Sequence, residues 1–365
     1  MIVTRTYTIK LKPNSSQRKQ LHQYFYEAKI LYNYLLNCSN IFAVTSCKIK
    51  NPWKYDKDRN KVKVELNSLP AKLKQNVHRQ ILDSIKALSA SKKKGYTVGK
   101  LKFKSEIKTI ELDNQCYRIE DENHVKIAGF GRKKILARGF HQFSNVIKFR
   151  NAKLMKKDDE FFLKICVSKE IMLHEYSGNS VGIDMGIETT TTLSTGEKFN
   201  CKIEETDRLK RLQRKLARSQ IINGKKRTNN QKKIIRQLHR EYQKISNQKK
   251  DSMNKLLKYL DSFDNIIFQD ESIRGWRNLQ GNKRTIQHSM LGSFKQKLVE
   301  KSHEQPERYR MLSKWEPTTQ LCPQCGSLNK HGLEERIYIC SCGYTEDRDI
   351  HAAKNMLVFA GIASA

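Results

Sequence analysis

The strongest constraint on this chain is a set of four cysteines near its end. WEPTTQLCPQCG and YICSCGYT place Cys322 and Cys325 as C-x-x-C and, after fourteen intervening residues, Cys340 and Cys342 as C-x-C. Each pair is followed at once by a glycine, Gly326 or Gly343, a residue that lets the chain turn back sharply enough to aim two side chains at one point. Four thiolates on two such knuckles suit one tetrahedral Zn²⁺ in a closed, structural site better than two reduced pairs. The other five cysteines, Cys38, Cys47, Cys116, Cys166 and Cys201, are scattered. Without regular spacing they argue against a disulfide framework and read as buried small side chains.

The chain has 365 residues, enough for two or three domains with a real core. It carries 71 Lys and Arg against 37 Asp and Glu, a formal net charge of +34. A surplus that large repels itself unless phosphates neutralise it, so a polyanionic partner is expected. No apolar run approaches the roughly 18 residues of a spanning helix. The opening MIVTRTYTIK alternates too strongly for a signal peptide's apolar core. The expectation is a soluble, cytosolic protein that binds nucleic acid and no membrane.

Period-two alternation marks residues 2–11 as a strand. After Pro13, Ser15 or Ser16 can cap a helix striped by Leu21, Phe25, Ala28, Tyr32 and Leu35. A second helix after Ser68 presents Leu73, Val77, Ile81, Ile85 and Leu88 on one face. From 107 to 168 short β-like segments follow one another (TIEL, CYRIE, HVKIAGF, KKILAR, NVIKFRNAKLM, FFLKICV), a spacing that predicts a small antiparallel barrel including the first strand. SVGIDMGIETTTTLSTGEKF reads as strand, turn and strand, NIIFQDES as a buried strand, and the tail from 344 as a helix.

Between them, 203–260 reads as two long helices, striped by Leu209, Leu212 and Leu216 and by Ile235, Leu238, Tyr242 and Ile245. Between Arg208 and Lys250, Glu241 is the single acid among sixteen Lys and Arg. Such one-sided charge removes the i,i+4 ion pairs that would support a merely solvated helix. Phosphate contact is therefore expected from Arg208, Lys210, Arg211, Arg214, Lys225, Lys226, Arg227, Lys232, Lys233 and Arg236. On the second helix, Lys72, Gln75 and Asn76 are candidates to touch base edges or phosphate.

Acids sit at three places in the chain where they are costly. Asp184 lies inside the apolar strand VGIDMGI, where a lone carboxylate needs a partner or a metal. Asp270 and Glu271 follow the apolar IIF. In YTEDRDIHAAKN, helical phase puts Asp349 on one face with Ala352, Ala353 and Met356, and Asp347 with Ile350, His351 and Lys354. Asp349 is then the inward acid, and Glu346 or Asp347 caps the helix or faces solvent. Carboxylates from separate elements are what a two-ion Mg²⁺ site for phosphodiester hydrolysis needs, with its metals roughly 4 Å apart.

The set VGIDMGI, FQDES, TTQLCPQCG, the cysteine knuckles and DRDIHAAKN, with the opening RTYTIKLKPNSSQ and KLKFKS, resembles the TnpB family along nearly the whole chain. Members are RNA-guided DNA endonucleases of insertion sequences, similar to compact type V CRISPR effectors. The resemblance implies an α/β plus β-barrel, multidomain fold: an RNase H-like RuvC domain (178–318 and 344–365) with an inserted helical hairpin and a zinc ribbon (319–343). It also implies an N-terminal barrel (1–12 and 100–172) with an inserted helical recognition domain (13–99). The implied partners are a non-coding guide RNA from the element's own end and double-stranded target DNA, read beside a short flanking motif. The implied cofactors are two Mg²⁺ and one structural Zn²⁺. Carried over by position, the first catalytic acid falls on Asp184 and the third on Asp349. A gapless match puts Gln269 at the middle position, with Glu271 two residues on as the expected ligand and Asp270 the alternative. His351 stands where the family usually has Asn. Relatives that have lost the acids act as RNA-guided repressors, the alternative reading.

Overall fold

The computed structural model describes residues 2–56, 58, 60–170, 178–223, 227–276, 278, 286, 289–330, 332 and 334–362, in two compact units, 1–173 and 174–365. The first contains β1 (Ile2–Lys12), α1 (Ser15–Leu36), β2 (Trp53–Tyr55), β3 (Lys61–Lys63), α2 (Ala71–Lys93), β4 (Thr109–Leu112), β5 (Tyr117–Asp121), β6 (His124–Ile127), β7 (Ile135–Arg138), β8 (Val146–Lys157) and β9 (Glu160–Glu170). Seven of these strands form one sheet in the order β4-β8-β9-β1-β7-β6-β5. The two edge strands, β4 and β5, are consecutive and only four residues apart. So short a connection holds both edges close together, and the sheet curls into a nearly closed barrel.

β1 pairs with β9 from Ile2↔Glu170 to Leu11↔Phe161 and with β7 near its end. The first strand thus closes against the last ones, as its alternation predicted. All five apolar positions expected on α1 are buried at 3% exposure or less, in one core with the barrel and with Leu73, Val77 and Ile81 of α2. The cap of α1 is Asn14, one residue before the two serines expected to do it. Its side chain accepts from the Gln17 backbone N–H while the Gln17 side chain accepts from Asn14 N–H, a reciprocal pair that neither serine could complete with this glutamine.

The second unit contains β10 (Ser180–Asp184), β11 (Thr191–Leu193), β12 (Lys198–Phe199), α3 (Asp207–Asn223), α4 (Asn229–Leu260), β13 (Asn265–Gln269), α5 (Ile273–Trp276), α6 (Leu291–Glu304), β14 (Tyr309–Leu312), β15 (Ile337–Ile339), β16 (Thr345–Asp347) and α7 (Arg348–Phe359). Its five-stranded sheet runs β12-β11-β10-β13-β14, with β10, β13 and β14 parallel and the first three strands antiparallel. The middle of the central pair is buried: Val181, Ile183, Ile266, Ile267 and Phe268 have no exposed surface. Their near-continuous apolar run is what a parallel strand covered on both faces requires.

Two sequence expectations change in this unit. The tail from 344 does not start as a helix, because Thr345–Asp347 first pairs with β15, Tyr338 opposite Glu346, and only then does α7 begin. On α4 the buried stripe is Ile234, Leu238 and Ile245, packed on Leu209 of α3. Ile235 is half-buried, and Tyr242, 47% exposed, receives a hydrogen bond from Gln213 instead. A tyrosine at a helix-pair rim keeps its ring on the apolar surface and its hydroxyl wet.

Candidate active site

Asp184 ends β10 and Glu271 follows the end of the adjacent parallel strand β13 by two residues. Both thus lie at the carboxyl ends of two neighbouring parallel strands, where open α/β sheets form their binding crevices. Asp349 comes from the first turn of α7. All three line one cleft of about 640 Å³, together with Arg336, Arg348 and Lys330. Burial pushes the Asp184 carboxyl up to about 7, and the charges of Asp349 and Glu271 add to that push. Burial also raises Glu271, against the nearby Lys295 ammonium. A buried carboxyl that cannot comfortably ionise beside two others gains most from a divalent cation in the same cleft, and hard oxygen donors fit Mg²⁺. The three carboxylates are not drawn as tightly as the cysteines. Among the described residues, the cysteine group alone gathers its ligand atoms within 4.8 Å of one another.

What places Asp349 is the close approach of α7 to β10. A Cβ on Gly182 would lie 1.8 Å from the Ala353 carbonyl oxygen, so only glycine permits that distance. Ala352, Ala353 and Met356 are all buried against the sheet, as the helical phase indicated. Asp347 is the N-cap, accepting from the backbone N–H groups of Asp349 and Ile350 and pairing with Lys198 at 2.8 Å. Glu346 pairs with Lys354. His351 does not belong on a polar face with Asp347. It is fully buried, its ring stacked on Tyr338 with centroids 3.7 Å apart.

At the middle position, Gln269 is buried at 4% exposure with its amide fully engaged. Nε2 donates to the carbonyls of Ser313 (2.9 Å) and Glu316 (2.8 Å), and Oε1 accepts from Thr318 Oγ1 (3.1 Å). β13 ends at Gln269, so Glu271, two residues on, lies beyond the strand and not on its face. Instead the chain turns, Glu271 N–H donating to Gln269 O, and carries Glu271 into the cleft. Asp270 turns aside to pair with Lys295, whose Nζ also donates to the Glu271 carbonyl at 2.7 Å. Lys295 went unnoticed in the sequence because one lysine among so many carries no signal. Gly182 was legible in principle, a glycine inside a buried strand.

The cysteine knuckles form as their spacing predicted. Cys322 Sγ lies 3.6 Å from Cys342 Sγ and Cys325 Sγ lies 3.5 Å from Cys340 Sγ. Sulfurs bound to one tetrahedral zinc at about 2.3 Å would sit roughly 3.8 Å apart, so the donor set fits Zn²⁺. Gly326 and Gly343 take φ of +74° and +93°. Each closes a turn onto the first cysteine of its pair, through Gly326 N–H to Cys322 O and Gly343 N–H to Cys340 O.

The basic candidates divide. Arg208, Lys210, Arg211, Arg214, Arg227, Lys232, Lys233 and Arg236 are exposed on or beside α3 and α4, Arg208 pairing with Glu241 at 3.2 Å. Lys225 and Lys226 lie outside the described residues. In the first unit Gln75 is exposed and Lys72 pairs with Asp113 at 3.5 Å. Asn76 is 1% exposed and donates to the Glu111 carbonyl. It fastens α2 to β4 and is removed from the set able to reach a base.

Three family models match the chain in order: "Helix-turn-helix domain" over residues 1–40, "Probable transposase" over 164–262, and "Cas12f1-like, TNB domain" over 292–356. Residues 1–40 are here a strand followed by one helix and its exit. Over 190 residues the chain is 31% identical to a putative RNA-guided DNA endonuclease of Streptomyces pristinaespiralis, a match covering 51% of this chain and 46% of that protein. TnpB-like protein L79 of Acanthamoeba polyphaga mimivirus is 28% identical over 193 residues, 49% of this chain and 37% of that protein. The chain therefore spans less than half the length of these curated relatives. A cryo-EM structure of a Cas12f1–sgRNA–target DNA complex aligns over 97% of this chain and 98% of that one at 14% identity, with a TM-score of 0.29, too low to bear on the fold. With matches at its beginning, middle and end, and relatives that carry the family's name, the comparisons support the TnpB family for this chain.

Proposed function

We propose that the chain is an insertion-sequence RNA-guided DNA endonuclease whose second unit is a RuvC-type, RNase H-like nuclease, cutting double-stranded DNA beside a short flanking motif. The observation that carries this reading is the convergence of Asp184, Glu271 and Asp349 on one cleft, with the Asp184 carboxyl held up to about 7 by burial and by the other two acids. Two Mg²⁺ ions bound there would supply an activated water and a charge-neutralised leaving oxygen. The chain's own part is to hold the carboxylates rigidly. Asp184 is fixed by a buried central strand, Asp349 by a helix packed on glycine, and Glu271 by a turn that Lys295 grips. Arg336, Arg348 and Lys330 in the cleft wall suit the phosphodiester oxygens. The exposed cations of α3 and α4 suit the backbone of a guide RNA and its heteroduplex.

The test is co-expression with the element's downstream non-coding sequence, sequencing of the co-purifying RNA, and challenge of a plasmid library with randomised flanks in the presence of Mg²⁺. Guide-dependent cleavage that Asp184→Ala abolishes supports the nuclease. Guide-dependent binding with no cleavage by the unaltered chain identifies an RNA-guided repressor instead.

A further inference from the structure

A buried polar cluster outside the carboxylate set joins three parts of the second unit. His351 lies on α7 two residues after Asp349, fully buried, with its ring flat against Tyr338 of β15 at 15°. Tyr338 is itself fully buried, donates its hydroxyl to the Gln320 carbonyl (3.1 Å) and receives Asn329 Nδ2 (3.2 Å). That same nitrogen stands 3.2 Å from Cys340 Sγ. One turn along α7, Asn355 is equally buried. Its Nδ2 lies 2.7 Å from the Thr318 and Leu321 carbonyls and 3.0 Å from His351 Nε2. Leu321 immediately precedes Cys322, and Thr318 Oγ1 donates to Gln269 at the end of β13. Contacts thus run without a gap from the thiolates to the helix that carries Asp349 and to the strand that leads into Glu271.

Apolar packing alone would hold α7 on the ribbon. Directional contacts do more: displacing the helix would break the bonds of Asn355 Nδ2 to two backbone carbonyls and the stack of His351 on Tyr338, so the cluster favours one placement over its neighbours. The start of α7 depends on the ribbon as well. Its N-cap Asp347 is the last residue of β16, paired with Ile337 of β15.

The geometry points to a coupling between the two metal sites: His351 and Asn355 are positioning residues through which zinc loading fixes α7, and with it the place of Asp349 opposite Asp184. This inference rests on the nuclease reading above. Zinc bound to the cysteines and a divalent ion bound to the carboxylates each favour the same arrangement of α7, so each tightens the other.

Mn²⁺ tests it, since its preference for oxygen donors keeps it from the thiolates. Free Mn²⁺ is followed by electron paramagnetic resonance during titration of the full chain, zinc-loaded and zinc-stripped. Stripping is expected to weaken Mn²⁺ binding at least about tenfold, within the usual range of about 5–150-fold for coupled sites. Zinc-loaded His351→Ala should show the same loss, with little further loss on stripping. His351→Phe, which keeps a ring against Tyr338, should retain most of the coupling. Tyr338→Leu cuts the same stack from the ribbon side and replaces His351→Ala if that variant does not fold. Mn²⁺ affinity indifferent to zinc in the unaltered chain overturns the coupling. So does a zinc effect undiminished in both His351→Ala and Tyr338→Leu. Asp184→Asn separates the two readings: binding that needs Asp184 but ignores zinc sinks the coupling alone, and binding that ignores Asp184→Asn sinks the nuclease reading with it.

Discussion

Gly182→Ala concentrates the structural account of the site in one methyl group. The new Cβ would lie 1.8 Å from the Ala353 carbonyl oxygen and 2.9 Å from its carbon, where ordinary contact begins at 3.4 Å. Both atoms belong to backbone, so no rotamer change relieves the clash, and α7 and β10 must part by about 1.6 Å. Overpacking of this kind costs about 1–3 kcal/mol. For a unit of this size each kcal/mol lowers Tm by about 2–4 °C, so calorimetry of the full chain should show a loss of roughly 2–12 °C. The functional effect should be larger. The same displacement carries Asp349 away from Asp184, and misplacement by about 1 Å costs on the order of 10²-fold in rate. Guide-dependent plasmid cleavage should therefore fall about a hundredfold. Gly292→Ala is the control: nothing lies within 4 Å of its added Cβ, at an exposed helical position, so it should be neutral or slightly stabilising. A Gly182→Ala chain that melts and cuts like the unaltered one would refute the packing argument.

Gln269→Glu tests whether an acid is wanted at the middle position. It would aim carboxylate oxygens at the Ser313 and Glu316 carbonyls, so a Tm loss above about 5 °C with no gain in cleavage is expected. An active, equally stable variant would show that the site can ionise there. In the chelated, metal-free chain, Asp184 should make stability depend on pH. Its folded carboxyl is raised to about 7 from an ordinary 3.8, so the stabilisation from its neutral form is complete below about 4 and lost as pH rises through 7. Scanning fluorimetry in EDTA should give a lower Tm at pH 8 than at pH 5.5, a difference that Asp184→Asn removes; the same slope in that variant would assign the effect elsewhere. Replacing Lys232, Lys233 and Arg236 with alanine should leave Tm unchanged. It should lower the slope of log affinity for guide RNA against log salt by about 0.7–0.9 for each phosphate that these cations neutralise, and an unaltered slope would take α4 out of the RNA interface.

Much of this molecule was legible in one dimension. The barrel strands announced themselves by period-two alternation, and the stripe expected on α1 is buried, though Tyr24, Ile30 and Leu31 widen it, because the period of an isolated element is written in its own side chains. The cysteine site was legible because short turns leave two close cysteines little choice of direction. The misread details each depended on a partner distant in sequence. Ile234 rather than Ile235 faces α3, Asn14 rather than a serine caps α1, and Asn76 spends its amide on β4 instead of facing solvent.

Read alone, the chain already showed which residue types were out of place: an acid in an apolar strand, acids at the end of another, four cysteines on two turns. Each is a local violation of cost, and cost can be read locally. Only the tertiary structure decided that Glu271 enters the cleft by a turn rather than along a strand face. It also decided that Gln269 is a clamp, and that His351 leaves the polar side of its helix for the ring of Tyr338 on β15. Those outcomes rest on where β13 stops and how closely α7 lies on Gly182, and such distances are set by packing between elements far apart in the chain.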